Sequence, residues 1–141
     1  MLFKRKVFSN FSDLRELESE FVDFLKVNRV PSDIVYDLKI AVHEFMLNIM
    51  EHGYHWDSQG EINFETQIER KDDFLEIEIK IRDYAKKFEI SKEKILKSVN
   101  NKSFRGRGLM MIMTFVDEFY SDPSVEEGNL YILKKRYNLN D

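Results

Sequence analysis

The sequence predicts an α+β fold, a two-layer α/β sandwich whose mixed, mostly antiparallel sheet is covered on one face by helices. Two adjacent segments alternate apolar and polar residues with period two: Ile62, Phe64, Thr66, Ile68, and then Leu75, Ile77, Ile79, Ile81. Two longer segments before them carry apolar residues at helical spacing. No repeat, low-complexity tract or linker interrupts the chain. At 141 residues and 43% hydrophobic content it is long enough for one core and short for two, so residues 1–141 read as one domain.

The elements follow in order. Phe3 to Ser9 reads as a short strand. Asn10 or Ser12 then caps a helix to about Val27, with Leu14, Leu17, Phe21, Phe24 and Leu25 on its buried stripe. Pro31 and Ser32 open a long second helix, and Gly53 closes it as a C′ residue would. The two alternating strands form an antiparallel hairpin around Arg70-Lys71-Asp72-Asp73, with Glu76, Glu78 and Lys80 on a wet face. Short helices are predicted over Ser91 to about Val99 and Leu109 to Val116, and strands near Glu118 to Ser121 and Asn129 to Tyr137.

Charged residues make up 34% of the chain, but the signs are mixed and the net charge is −4. That balance gives no reason to expect nucleic acid or a membrane as partner. Without cysteine there is no disulfide framework and no thiolate nucleophile. The first residues lack the apolar core of a signal peptide, and no apolar run approaches a membrane span. A soluble, cytoplasmic protein is the expectation.

Three constellations carry candidate chemistry. Glu44, Asn48 and His52 recur every four residues and form one polar stripe on an otherwise apolar helix, with Phe45, Met46, Leu47, Ile49 and Met50 around them. Such a stripe is either solvated or lines a cleft, and the apolar neighbours favour the cleft. A carboxylate there can accept a hydroxyl proton, an amide oxygen can ligand a hard cation, and an imidazole can donate to phosphate. Asp83 comes off the end of the second alternating strand, where it is either a turn former or an acceptor for a purine amino group. In Phe104-Arg105-Gly106-Arg107-Gly108-Leu109, two glycines precede an apolar helical pattern. This is an ordinary loop or a phosphate-binding turn, with amides at a helix N-terminus and two guanidinium groups beside it.

Taken together, Glu-x-x-x-Asn-x-x-x-His-Gly-Tyr on a helix, the later Asp83 and the Gly-x-Gly-Leu turn resemble the histidine-kinase-like ATPase family, also called the Bergerat or GHKL fold. Within that family the chain is most similar to the small anti-sigma factor serine kinases of bacteria, over nearly its whole length. The resemblance implies that Asn48 ligands Mg²⁺ on the phosphates of ATP and that Glu44 is the general base for an acceptor serine. It further implies that Asp83 contacts the adenine amino group, that Gly106 and Gly108, with the amides to Leu109, wrap the phosphates, and that Arg105 or Arg107 adds charge. His52 takes a supporting role near the nucleotide, and residues 86–105 form a lid. One departure matters: the family's glycine after its Asp is Ala85 here. A methyl beside the base, on a residue that resists φ > 0, predicts a cost in nucleotide affinity.

The resemblance implies a sigma factor and a STAS-type anti-anti-sigma protein as partners, and a homodimer, for which Phe8 and Phe11 offer apolar contact area. Two other functions stay open: a non-catalytic partner-binding module that uses nucleotide as a structural ligand, and a plain ATP hydrolase in which Glu44 activates water.

Overall fold

The computed structural model describes residues 1–100 and 104–139, with the side chains of 98–107 left aside. Among the described residues, five strands form one open sheet in the order β1-β2-β3-β5-β4. They are β1 (Leu2–Phe8), β2 (Glu61–Arg70), β3 (Phe74–Asp83), β4 (Glu118–Ser121) and β5 (Asn129–Asn138). The helices are α1 (Phe11–Val27), α2 (Ser32–Asn48), α3 (Lys92–Asn100) and α4 (Phe104–Phe115). The two-layer α+β architecture is as expected. Among the described residues the four strand pairings are antiparallel, in keeping with a mostly antiparallel sheet.

The period-two pattern sets the layers. Ile62, Phe64, Thr66 and Ile68 of β2 and Leu75, Ile77, Ile79, Ile81 and Asp83 of β3 are buried under the helices. The alternate positions face outward and pair across strands, as in Lys4 with Glu65 and Arg136 with Glu76. A single slip in register would bring these charges into the core, so the pairing Ile62↔Asp83 is strongly specified. That register places Asp83 at one end of the sheet, on the helix-facing side.

Helix α1 starts where the sequence allows its best cap. Asn10 Oδ1 accepts from Asp13 N–H at 2.8 Å, and Asp13 reaches back to Phe8 N–H at 2.8 Å. This reciprocal pair closes the turn between β1 and α1. Leu14, Leu17, Phe21 and Leu25 are buried, whereas Phe24 is half-buried against Phe3, with ring centroids 5.5 Å apart.

Helix α2 departs from expectation at its end. The α-helical ladder stops at Asn48, and Ile49–Gly53 forms a π turn instead. Tyr54 N–H then bonds Ile49 O at 3.0 Å and Trp56 N–H bonds Met50 O at 2.8 Å. The chain reverses through His55 (φ 50°) and Trp56 (φ 61°), so Gly53 is the last residue of a wide turn and is not the left-handed C′ cap. Such π turns often sit at functional sites, because one added residue re-aims the side chains that follow.

Helix α4 packs against α2 and α3. Its first residue is Phe104, so Gly106 and Gly108 belong to the start of the helix, where a glycine turn ahead of Leu109 was expected. Glycine is a poor helix former, and burial of Leu109 and Ile112 overrides that preference here.

Candidate functional site

Asp83 closes β3 and is 1% exposed. A buried carboxylate must find donors, and Oδ1 has two: Ala85 N–H at 3.1 Å and Asn129 Nδ2 at 2.9 Å. Both of these hydrogen bonds fall on Oδ1, and the backbone N–H of Asn129 also favours the ionised carboxylate. Burial pushes the acid's pKa above the usual range, against the pull of those hydrogen bonds. A cavity of about 430 Å³ opens beside it, lined by Asp83, Ile49, His52, Gly53, His55, Lys86, Lys87, Phe88, Asn129 and Tyr131. Ile49, Phe88 and Tyr131 give it an apolar part for a flat ring, Asp83 a buried acceptor for an amino group, and His52, His55, Lys86 and Lys87 a polar, basic remainder.

Two residues whose roles the sequence reading did not identify hold Asp83 in place. The Tyr54 hydroxyl donates to Glu61 O at 2.6 Å and accepts from Tyr84 N–H at 2.7 Å, tying the segment after the π turn to both strand ends. Its ring lies on Gly60, where an added Cβ would stand 2.5 Å from a ring carbon. Asn129, at the start of β5, is 3% exposed and fully engaged. Besides bonding Asp83 it donates to Lys86 O at 3.0 Å and accepts from Phe88 N–H at 2.7 Å. Gly128 before it has φ +66°, and a Cβ there would come within 2.2 Å of Asp83 O, so only glycine lets β5 start this close. A Gly-Asn pair opening a strand was the one available sequence signal, and it reads equally well as a turn.

The polar stripe divides. His52 and Gly53 line the cavity with Asp83, but Glu44 and Asn48 do not. Glu44 is half-buried and has no hydrogen-bond or ion-pair partner among the described residues. Asn48, 9% exposed, is the buried member of the stripe. At 1.5 Å rise per residue, Glu44 stands about 6 Å from Asn48 along α2, and His52 lies further on in the π turn. The wall therefore suits an elongated ligand, with its ring at the π turn and its charged end toward Asn48 and Glu44.

The fit to magnesium rests on Asn48. Among the described residues no three His, Asp or Glu side chains gather as a metal cluster. A cation there would be held mainly by phosphate oxygens and water, with one amide oxygen from the protein, a ligand set that suits Mg²⁺. Arg105, Gly106 and Arg107 lie where side chains are outside the described residues. An added Cβ on Gly108 would meet nothing within 4 Å, so a side chain would fit there. Leu109 is 2% exposed and belongs to the core, while also bordering a cavity with Phe88, Ile90 and Ile95. Of the expected lid, 101–103 fall outside the described residues, and the rest comprises the segment after β3, α3 and the start of α4.

Ala85 requires revision. It is not among the described residues with positive φ, so the backbone here does not call for glycine. Its methyl lies against Gly53, where an added Cβ would be 3.1 Å from Ala85 Cβ, and Ala85 does not line the cavity. The room for alanine comes from glycine at position 53. Ala85→Gly is accordingly expected to lower stability by about 0.5–1 kcal/mol and to leave ATP affinity within about threefold. Melting curves with calorimetric titration check both, and a gain of fivefold or more in affinity would show that the methyl does obstruct the base.

An antiparallel sheet backed by helices, with a buried acid closing a pocket beside a Glu-x-x-x-Asn helix, defines a nucleotide-binding α+β domain. The chain belongs to the histidine kinase-like ATPase domain family, whose model matches residues 9–135. That span takes in every candidate residue above. Comparison with curated proteins gives no match.

Proposed function

We propose that this ATPase-type domain is a protein serine/threonine kinase of the anti-sigma kind. It binds ATP with Mg²⁺, phosphorylates a serine on a STAS-type anti-anti-sigma protein, and sequesters a sigma factor until that antagonist docks. The observation that carries the reading is Glu44, half-buried and without a partner among the described residues, one helical turn from Asn48. A carboxylate so placed is available to an incoming hydroxyl.

In this reading Asp83 receives the adenine amino group at Oδ2, and His52 supports the nucleotide beside it. Asn48 presents its amide oxygen to magnesium, which supplies neutralisation of phosphate charge when bound. Backbone amides of the first turn of α4, with Arg105 or Arg107, receive the phosphates. Glu44 takes the proton of the serine hydroxyl as its oxygen bonds to the γ-phosphorus, and the bond from that phosphorus to ADP breaks. The hydrolase alternative uses the same acid on water, so transfer to a protein serine is what separates the two.

The assembly we propose is a cytoplasmic homodimer. Among the described residues no helix is long and apolar enough to cross a membrane. Phe8 and Phe11 are 37% and 56% exposed, and Phe11 stacks on Trp56 at 4.8 Å. Both lie by β1, an edge strand with one side unpaired.

Tagged protein purified from its own cells is expected to bring down a sigma factor or a small protein that becomes serine-phosphorylated on addition of Mg-ATP. Mass spectrometry of the eluate before and after ATP reads this out. Recovery of nucleic acid, with tight salt-sensitive DNA binding by the pure protein, would contradict the partner assignment.

A further inference from the structure

The buried amide of Asn129 touches three different parts of the site. Its oxygen must face Phe88, because a backbone N–H only donates, and so its two donors face Asp83 Oδ1 and Lys86 O. All three contacts are satisfied, which fixes the amide in a single orientation. One side chain thereby sets both the floor of the cavity, Asp83, and one wall, the segment of Lys86, Lys87 and Phe88.

The consequence falls on Asp83. Its carboxylate is free to turn about its last side-chain bond unless one oxygen is held. With Oδ1 taken by Asn129 and Ala85, Oδ2 is the oxygen left to meet a ligand. We infer that Asn129 is a positioning residue that gives the site its discrimination for an amino-bearing purine, by holding Asp83 with Oδ2 presented and the 86–88 wall closed against the ring. This rests on the reading of the cavity as the adenine pocket. Asn129 itself need not touch the base, since its donors are used within the protein.

The test compares ATP with purine riboside triphosphate, which lacks only the 6-amino group. Calorimetric dissociation constants are measured for wild type, for Asn129→Asp, which keeps the shape but has at most one proton, shared with Asp83, in place of two donors, and for Asn129→Ala, which adds no charge. Circular dichroism and melting curves accompany each. Wild type should prefer ATP by roughly tenfold or more, as expected for one hydrogen bond to a charged acceptor. In both variants the preference should fall to about twofold or less, because the loss for ATP exceeds any loss for the analogue. A merely structural defect would weaken both ligands together and leave the ratio intact, and that result overturns the inference. Should the Asp variant fail to fold, the Ala variant decides on the same ratio. A wild-type ratio near one would instead remove the adenine role of Asp83, and the role of Asn129 with it.

Discussion

Glu44→Gln is expected to reduce phosphorylation of the partner serine by about 10²-fold or more while leaving ATP affinity within a few-fold. The substitution keeps the volume and the hydrogen-bonding reach of the side chain, but an amide cannot take the hydroxyl proton. Because Glu44 has no partner among the described residues, removing its charge breaks no ion pair in that part of the fold. Its exposure is intermediate, so the fold should tolerate the change with little loss of stability. Single-turnover transfer from labelled ATP, with binding measured separately, distinguishes the outcomes. Equal loss of binding and transfer would make Glu44 a structural residue, and full retained transfer would remove it from the chemistry.

Asn48→Ala is expected to weaken ATP binding by roughly tenfold or more in Mg²⁺ and by only a few-fold in a chelator. The amide oxygen is the one protein ligand proposed for the cation, so its loss should be felt through the metal. Asn48 is also buried and engaged within the protein, and its truncation should cost about 1–3 kcal/mol of stability. That cost is the same with or without magnesium. A difference in affinity loss between the two conditions therefore isolates the ligand role, and identical losses would assign Asn48 to the fold alone.

Much of the architecture was legible because it rests on periodicity. The alternation in β2 and β3 fixed which residues face the helices, and it led directly to Asp83 at a buried strand end. Local chemistry narrowed the first cap to Asn10 or Ser12, and the structure selects Asn10. What was not legible depends on packing between distant segments. Gly53 follows a helical pattern and so looks like a cap, but the helix widens into a π turn, and the missing side chain serves contact with Ala85. Likewise Gly106 and Gly108 read as a loop by propensity, whereas burial of Leu109 and Ile112 extends the helix through them.

The candidate site divides in the same way. Glu44, Asn48 and His52 stood out by recurring every four residues on an otherwise apolar helix, and Asp83 by its place at the end of an alternating strand. Asn129 and Tyr54 act through hydrogen bonds to backbone far away in sequence, which no spacing encodes. The Ala85 departure looked costly only while its methyl was assumed to face the base, and its placement against Gly53 removes that assumption.

The most direct test of the account is calorimetric titration of the wild-type protein with ATP, ADP and GTP, each with and without Mg²⁺. Saturable one-site binding of adenine nucleotides, tighter for ATP when Mg²⁺ is present and weak or absent for GTP, is the expected result. Absence of any Mg²⁺-dependent affinity for an adenine nucleotide would contradict it.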